Sequence, residues 1–212
     1  MASAIIHICV AKEINKTLQL PEKELFLGSI APDISKQVGQ TKEKSHFLTT
    51  TKEDVPNIFE FLKKYQNQLH NPFLMGYFIH LYTDKLWFDE FMRKRNYEGN
   101  IKLLDGTILN TTEKEITKLI YNDYTTANIA LLDFYHLDLS LFYEEFPLPT
   151  IEMEEIPIQK LPILIEKMGL IVKNSTIEKS YIFDITILEE FISYCTEKIL
   201  KKIDEYHIKI HP

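Results

Sequence analysis

Between residues 72 and 91 an apolar seam repeats at spacings of four and three, Phe73, Tyr77, His80, Asp84, Trp87 and Phe91, and two of its six members are ionisable. At about 100° per residue these positions fall within one narrow arc of an α-helix. A helix that turns this aromatic stripe toward a core must turn His80 and Asp84 inward with it. That restricts any fold the chain can adopt, because a buried carboxylate costs several kcal/mol unless it is paired or holds a cation. The four-residue spacing also sets both side chains on one face, about 6 Å apart, close enough to share a metal ion. A hydrogen-bonded His–Asp structural pair meets the same constraint, and this helix alone does not separate the two.

The rest of the chain reads as helix around that seam. Only six glycines stand in 212 residues, and long segments repeat at 3.6, which predicts an all-α fold, a compact multi-helix bundle with long central helices forming one domain over residues 1–212. Ser3 caps a first helix running to about Lys16, while Pro21, Gly28 and Pro32 in LPEKELFLGSIAPDIS predict an ordered loop with short helical turns. Asp54 before Pro56 and Asn71 before Pro72 open a second and a third helix, the third reaching about Arg95. Asp105-Gly106 between two apolar runs predicts a small β-hairpin at 101–110. Helical patterns return at about 112–121 and 124–135, and Pro147, Pro149, Pro157 and Pro162 then make a connector ending in a short helix. The last long helix, about 184–206, carries the stripe Leu188, Phe191, Ile192, Cys195, Ile199 and Ile203 and is expected to pack across the N-terminal helices.

His7 shares its helix face with Ala4, Val10, Ala11, Ile14 and Leu18, so it too points inward. One core histidine is ordinarily structural, but two helices that each aim a histidine inward are better explained by a common site. Asp33 after Pro32 and His46 in KSHF are the nearby candidates, although each alone fits a blander role, Asp33 as a turn or cap and His46 as a surface residue. Three His and two Asp together make a nitrogen and oxygen donor set suited to zinc, and also to iron or manganese. His70, His136, His207 and His211 lie at helix ends or in the tail, where a histidine meets the helix dipole without any metal. Cys9 and Cys195 sit in apolar-periodic stretches and are expected to be buried thiols.

Charge narrows the partners. With 24 Lys and Arg against 31 Asp and Glu the net charge is −7, so phosphate backbones and anionic membranes are not attracted generally and an anionic substrate must be held locally. No basic, aromatic-interleaved surface suggests a polynucleotide. The N-terminal apolar run lacks a basic start and is broken by His7, Lys12 and Glu13. It reads neither as a signal peptide nor as a transmembrane segment, which predicts a cytoplasmic protein.

In order along the chain come His7, LGSIAPDIS with Asp33, SHF with His46, and GYFIHLYTD with His80 and Asp84. Over about the first 95 residues this order resembles the bacterial zinc-dependent phospholipase C family, whose helical fold is shared with the fungal single-strand nucleases. The resemblance implies a phosphoester hydrolase in which Asp33, His46, His80 and Asp84 bind one zinc, Asp84 bridges to a second zinc held also by His7, and Asp33 is the general base. A small phosphoester (monoester, diester or nucleotide) or a phospholipid headgroup is compatible as substrate with that chemistry. Secreted members also use a freed N-terminal amine as a ligand and hold a third metal through later histidines and a glutamate. Here no H-x-x-x-E follows Asp84, which leaves Asp89, Glu90, Asp123 or His136 as stand-ins for the third metal and Ala2 as the residue that loss of Met1 would expose. The rival expectation is a non-catalytic helical protein in which the same residues hold a structural metal or a buried polar network.

Overall fold

A computed structural model describes residues 1–49, 55–97, 100–143, 148–176 and 178–209. The fold is all-α with one small antiparallel sheet. Helix α1 (Ala4–Leu18) starts where Ser3 Oγ accepts the Ile6 N–H, as expected of a serine N-cap, and stops at Gln19 in the left-handed region. Helix α4 (Ile58–Tyr65) is capped by Asn57, later than the Asp54–Pro56 start; Asp54 itself lies outside the described residues. Helix α5 (Pro72–Leu86) has Asn71 accepting the N–H groups of Phe73 and Leu74, and it runs on as one π-helical segment, Trp87–Met92. Every residue from Phe73 to Asp84 is buried, so the ionisable seam lies inside a helix surrounded on all faces. Helices α1, α2 (Glu22–Ile30), α4 and α8 (Ile185–Glu205) pack around it.

The segment expected as a loop is instead helix α2 (Glu22–Ile30), followed by a 3-10 turn (Ala31–Asp33) and the single-turn α3 (Ile34–Gln37). Pro21 stands just ahead of the helix, where its carbonyl accepts the Leu25 N–H and its missing N–H costs no helical bond, and Gly28 is a contact point and not a breaker. A Cβ on Gly28 would lie 2.0 Å from the Phe73 carbonyl oxygen, and one on Gly76 would lie 2.1 Å from the Leu25 carbonyl oxygen. Two glycines facing each other let α2 and α5 touch backbone to backbone.

The remaining elements close the bundle. Strands β1 (Asn96–Tyr97), β2 (Asn100–Lys102) and β3 (Ile108–Asn110) form an antiparallel sheet in that order, with Ile101 opposite Leu109. The expected hairpin is β2–β3, closed at Gly106 (φ 86°) by its N–H on the Leu103 carbonyl. The patterns at 112–121 and 124–135 are one helix, α6 (Glu113–Phe134), because Asn122 and Asp123 turn their side chains onto the 179–183 backbone and leave the helical ladder intact. Helix α7 (Pro162–Lys173) ends the connector, and α8 (Ile185–Glu205), capped by Asp184, lies across α1 and α5 as its stripe requires. Trp87, Phe91, Tyr124, Phe183 and Phe191 form an aromatic cluster below Asp84, Trp87 stacking on Phe91 at 4.3 Å between centroids. Both cysteines are free and buried. Among the described residues no helix is long and apolar enough to cross a membrane.

Candidate metal centre

The five residues singled out in the sequence meet. His7 comes from α1, Asp33 from the turn after α2, His46 from the 41–47 loop, and His80 and Asp84 from α5. His7, His80 and Asp84 have no exposed surface and His46 retains 1%. The Asp33 side chain, 16% exposed, is the member that reaches solvent.

The proton on His80 has a defined place. Its Nδ1 lies 2.8 Å from the Ser29 carbonyl oxygen, which can only accept, so Nδ1 carries the hydrogen and Nε2 presents a lone pair. That Nε2 stands 3.2 Å from His46 Nε2 and 3.6 Å from Asp84 Oδ2. His46 Nε2 is 3.6 Å from the same Asp84 oxygen and 3.8 Å from Asp33 Oδ1. The other Asp84 oxygen, Oδ1, accepts the Ala2 backbone N–H at 3.0 Å and lies 3.4 Å from His7 Nε2 without hydrogen-bond geometry. The His7 and His80 rings stack at 3.8 Å between centroids. Asp84 thus turns one oxygen toward His46 and His80 and the other toward His7.

Electrostatics keeps this set ready to donate electron pairs. Burial pulls the His46 imidazole down to about 4 against the opposing fields of Asp33 and Asp84. Burial, with His7 alongside, holds His80 well below the ordinary histidine range. Burial acts to raise the Asp84 carboxyl, yet His7, His80 and the chain's amino terminus together hold it well below the usual carboxylate range. At neutral pH the core of the cluster is therefore two neutral imidazoles against an ionised carboxylate.

What the cluster lacks is donors. Asp84 Oδ2, Asp33 Oδ1 and both ring nitrogens of His7 are buried with no hydrogen-bond partner. Buried polar atoms are nearly always satisfied, and four orphans in one cluster mark a place where a cation fits. Two overlapping donor groups, His7/His80/Asp84 and Asp33/His46/His80, have ligand atoms within 4.8 Å of one another. These buried groups can hold a metal ion.

The stand-ins for a third metal lie elsewhere. Asp123 accepts the N–H groups of Tyr181, Ile182 and Phe183 at 2.9, 2.6 and 3.0 Å. Asp89 pairs with Lys85 at 2.6 Å, Glu90 accepts the Tyr194 hydroxyl at 2.5 Å, and His136 is exposed beyond α6. None of the four belongs to a donor group among the described residues. His70 and His207 are exposed, and His211 falls outside the described residues.

Three supporting residues were not visible in sequence. Ser29 supplies the carbonyl that orients His80, Ser45 Oγ lies 2.9 Å from His46 Nδ1, and Tyr77 donates to the Ser45 carbonyl at 2.5 Å. Ser29 acts through its backbone, Tyr77 across 32 residues of sequence, and Ser45 through a hydroxyl that is as common on a surface as in a core, so residue type carries little information. Tyr77 did stand in the seam, but nothing there marks its hydroxyl as part of the centre. Comparison of the chain with family models, characterised proteins and solved structures gave no match.

Proposed function

We propose that this chain is a metal-dependent phosphoester hydrolase, phospholipase C-like, with zinc as the cation and iron or manganese as chemically compatible alternatives. The observation that carries the reading is the set of orphaned buried atoms, Asp84 Oδ2, Asp33 Oδ1 and the His7 nitrogens, beside the bare Nε2 of His80. Asp33, His46, His80 and Asp84 would hold one ion. His7 and Asp84 Oδ1 face the place for a second, in keeping with the two-zinc arrangement that the family resemblance implies. Such an ion supplies Lewis acidity, polarising a phosphoryl oxygen and acidifying water.

The protein's own contribution is placement and proton handling. Four of the five donors are buried, so water would reach the centre past Asp33, the most exposed member. Its carboxylate would take a proton from water attacking phosphorus, the role of a general base that the family resemblance implies. The overall charge of −7 leaves attraction of an anionic substrate to the centre itself. A small phosphoester or a phospholipid headgroup fits that local attraction, and the acidic composition makes a polynucleotide the least favoured substrate. The burial of His7, His80 and Asp84 is the feature that favours the rival reading, a closed structural site.

Metal content of protein purified without chelator, followed by phosphomonoester, phosphodiester and phospholipid assays, decides between them. Asp33→Asn is the discriminating variant. It keeps the side-chain shape and one acceptor but loses charge and basicity. We expect turnover to fall by about 10²- to 10⁴-fold with melting temperature nearly unchanged, bound metal being measured on the same preparation. Metal-replete protein that turns over none of the panel would leave the structural site; turnover unaffected by Asp33→Asn would remove Asp33 from the chemistry.

A further inference from the structure

The hydroxyl of Ser45 stands between two neighbours, the Lys42 carbonyl oxygen at 3.3 Å and His46 Nδ1 at 2.9 Å, and Ser45 is fully buried. Its position is fixed from several sides. Tyr77 donates to the Ser45 carbonyl, and the Tyr77 ring stacks on Phe61, which meets Phe47 edge-on. Phe47 itself is held at φ 53°, a left-handed conformation that persists in a bulky residue only where the surroundings impose it. The His46 N–H to the Lys42 carbonyl and the Leu48 N–H to the Glu43 carbonyl close the same loop.

A neutral His46 has one ring proton and two places for it. On Nε2 the proton points at the bare Nε2 of His80, 3.2 Å away, and Nδ1 then accepts from the Ser45 hydroxyl. On Nδ1 the proton is donated to Ser45 Oγ, and the hydroxyl turns its own hydrogen to the Lys42 carbonyl. The first arrangement closes the gap between the two rings without any cation, while Asp84 Oδ2 and Asp33 Oδ1 remain without a donor. The second leaves two bare Nε2 atoms facing each other beside Asp84 and Asp33, an arrangement that a cation among them stabilises and that is repulsive otherwise. A hydroxyl that both donates and accepts serves either state, whereas a carbonyl such as that of Ser29 permits only one.

We propose that Ser45 is a positioning residue that lets His46 exchange tautomers, so that the proton closing the gap between the two rings in the cation-free protein moves from Nε2 to Nδ1 when a cation is taken up. The inference rests on the metal-centre reading above. The proton count is conserved: His46 keeps one ring proton, relocated by exchange with water, and Ser45 keeps its hydroxyl proton and redirects it. His80 stays in one tautomer throughout. Cation uptake therefore draws no proton out of either imidazole.

The test uses the full chain labelled with ¹⁵N, read by two-bond ¹H–¹⁵N correlation of the histidine rings before and after addition of zinc chloride. His46 should show Nε2–H without zinc and Nδ1–H with it, while His80 shows Nδ1–H in both. Ser45→Ala should keep the zinc-free His46 tautomer, lower the zinc-free melting temperature modestly through the lost hydrogen bond to Nδ1, and bind zinc about 10- to 100-fold more weakly in competition with a chromophoric chelator, because the loaded state then strands a buried Nδ1–H donor where the zinc-free state strands only an acceptor. A role confined to packing would lower the melting temperature and leave zinc affinity unchanged. Nδ1–H on His46 in the zinc-free wild type, or zinc binding without a change of tautomer, overturns the exchange and leaves the metal centre standing. Failure of the wild type to bind zinc overturns both. The wild-type spectra decide the tautomers even if the variant does not fold.

Discussion

Asp84 and Asp123 are both fully buried aspartates on long helices, and their surroundings are opposite. Asp123 lies where α6 meets the segment before α8 and accepts three consecutive backbone N–H groups, with the Asn122 amide a fourth donor. Asp84 receives one backbone N–H, from Ala2, and otherwise faces imidazole nitrogens at 3.4–3.6 Å. Burial alone therefore does not mark a functional carboxylate. The difference is whether the chain itself supplies the donors that the charge requires. Around Asp123 it does, and the residue is a fastener; around Asp84 it supplies one backbone N–H and leaves Oδ2 without a donor beside the bare Nε2 of His80, an arrangement that can hold a cation.

Substitution breaks the comparison first where the effect is largest. Asp123→Ala strands three buried N–H groups, each costing about 1–3 kcal/mol, and should lower stability by about 3–5 kcal/mol in urea unfolding, equally with zinc and with chelator. A loss that depends on chelator would make Asp123 part of the metal system and erase the contrast.

Acid comes next. In the metal-free protein His46 titrates near 4 when folded, against an ordinary 6.5 when unfolded. The unfolded chain binds more protons between those values, so stability falls as pH drops through that window, by about 3 kcal/mol for this group at 1.36 kcal/mol per unit. The contribution of Asp84 has the depressed-carboxylate sign, present above the ordinary aspartate range and lost only at lower pH. Unfolding free energies measured from pH 7 to 4 in chelator check this, and a flat profile would mean that the histidines are not held neutral.

Zinc supplies the finest discrimination. At free zinc a hundredfold above its dissociation constant the wild type should gain about 2.7 kcal/mol, and Asp84→Asn should gain almost nothing. An equal gain in Asp84→Asn would place the ion away from this cluster.

The sequence disclosed the centre better than the scaffold around it. His80 and Asp84 were legible because a helix period of 3.6 forces seam positions to share a direction, and His7 followed from the same geometry on α1. Asp33 and His46 were legible only in company, since a turn aspartate and a histidine among lysines look like surface until the order of the whole set is considered. Gly28 was misread because a glycine signals either a break or a close approach, and the partner that decides between them, Phe73, lies 45 residues on. The interruption at Asn122-Asp123 was misread for a similar reason: short polar side chains compete with the helix backbone unless distant amides engage them, and here residues 179–183 do. Ser29 and Ser45 left no trace in the sequence because a carbonyl belongs to every residue and serine is at home anywhere.

The facing glycines of α2 and α5 also set a dimension. Ser29 follows Gly28 directly and His80 lies one turn beyond Gly76, so the 2.8 Å bond that fixes the His80 proton is gauged by two main chains in contact. Side chains in the surrounding core can change volume without altering that gauge, because no side chain stands between the two backbones at that point. A single added methyl at either glycine alters it at once. The calibration of the centre therefore resides in two positions that carry no functional group at all.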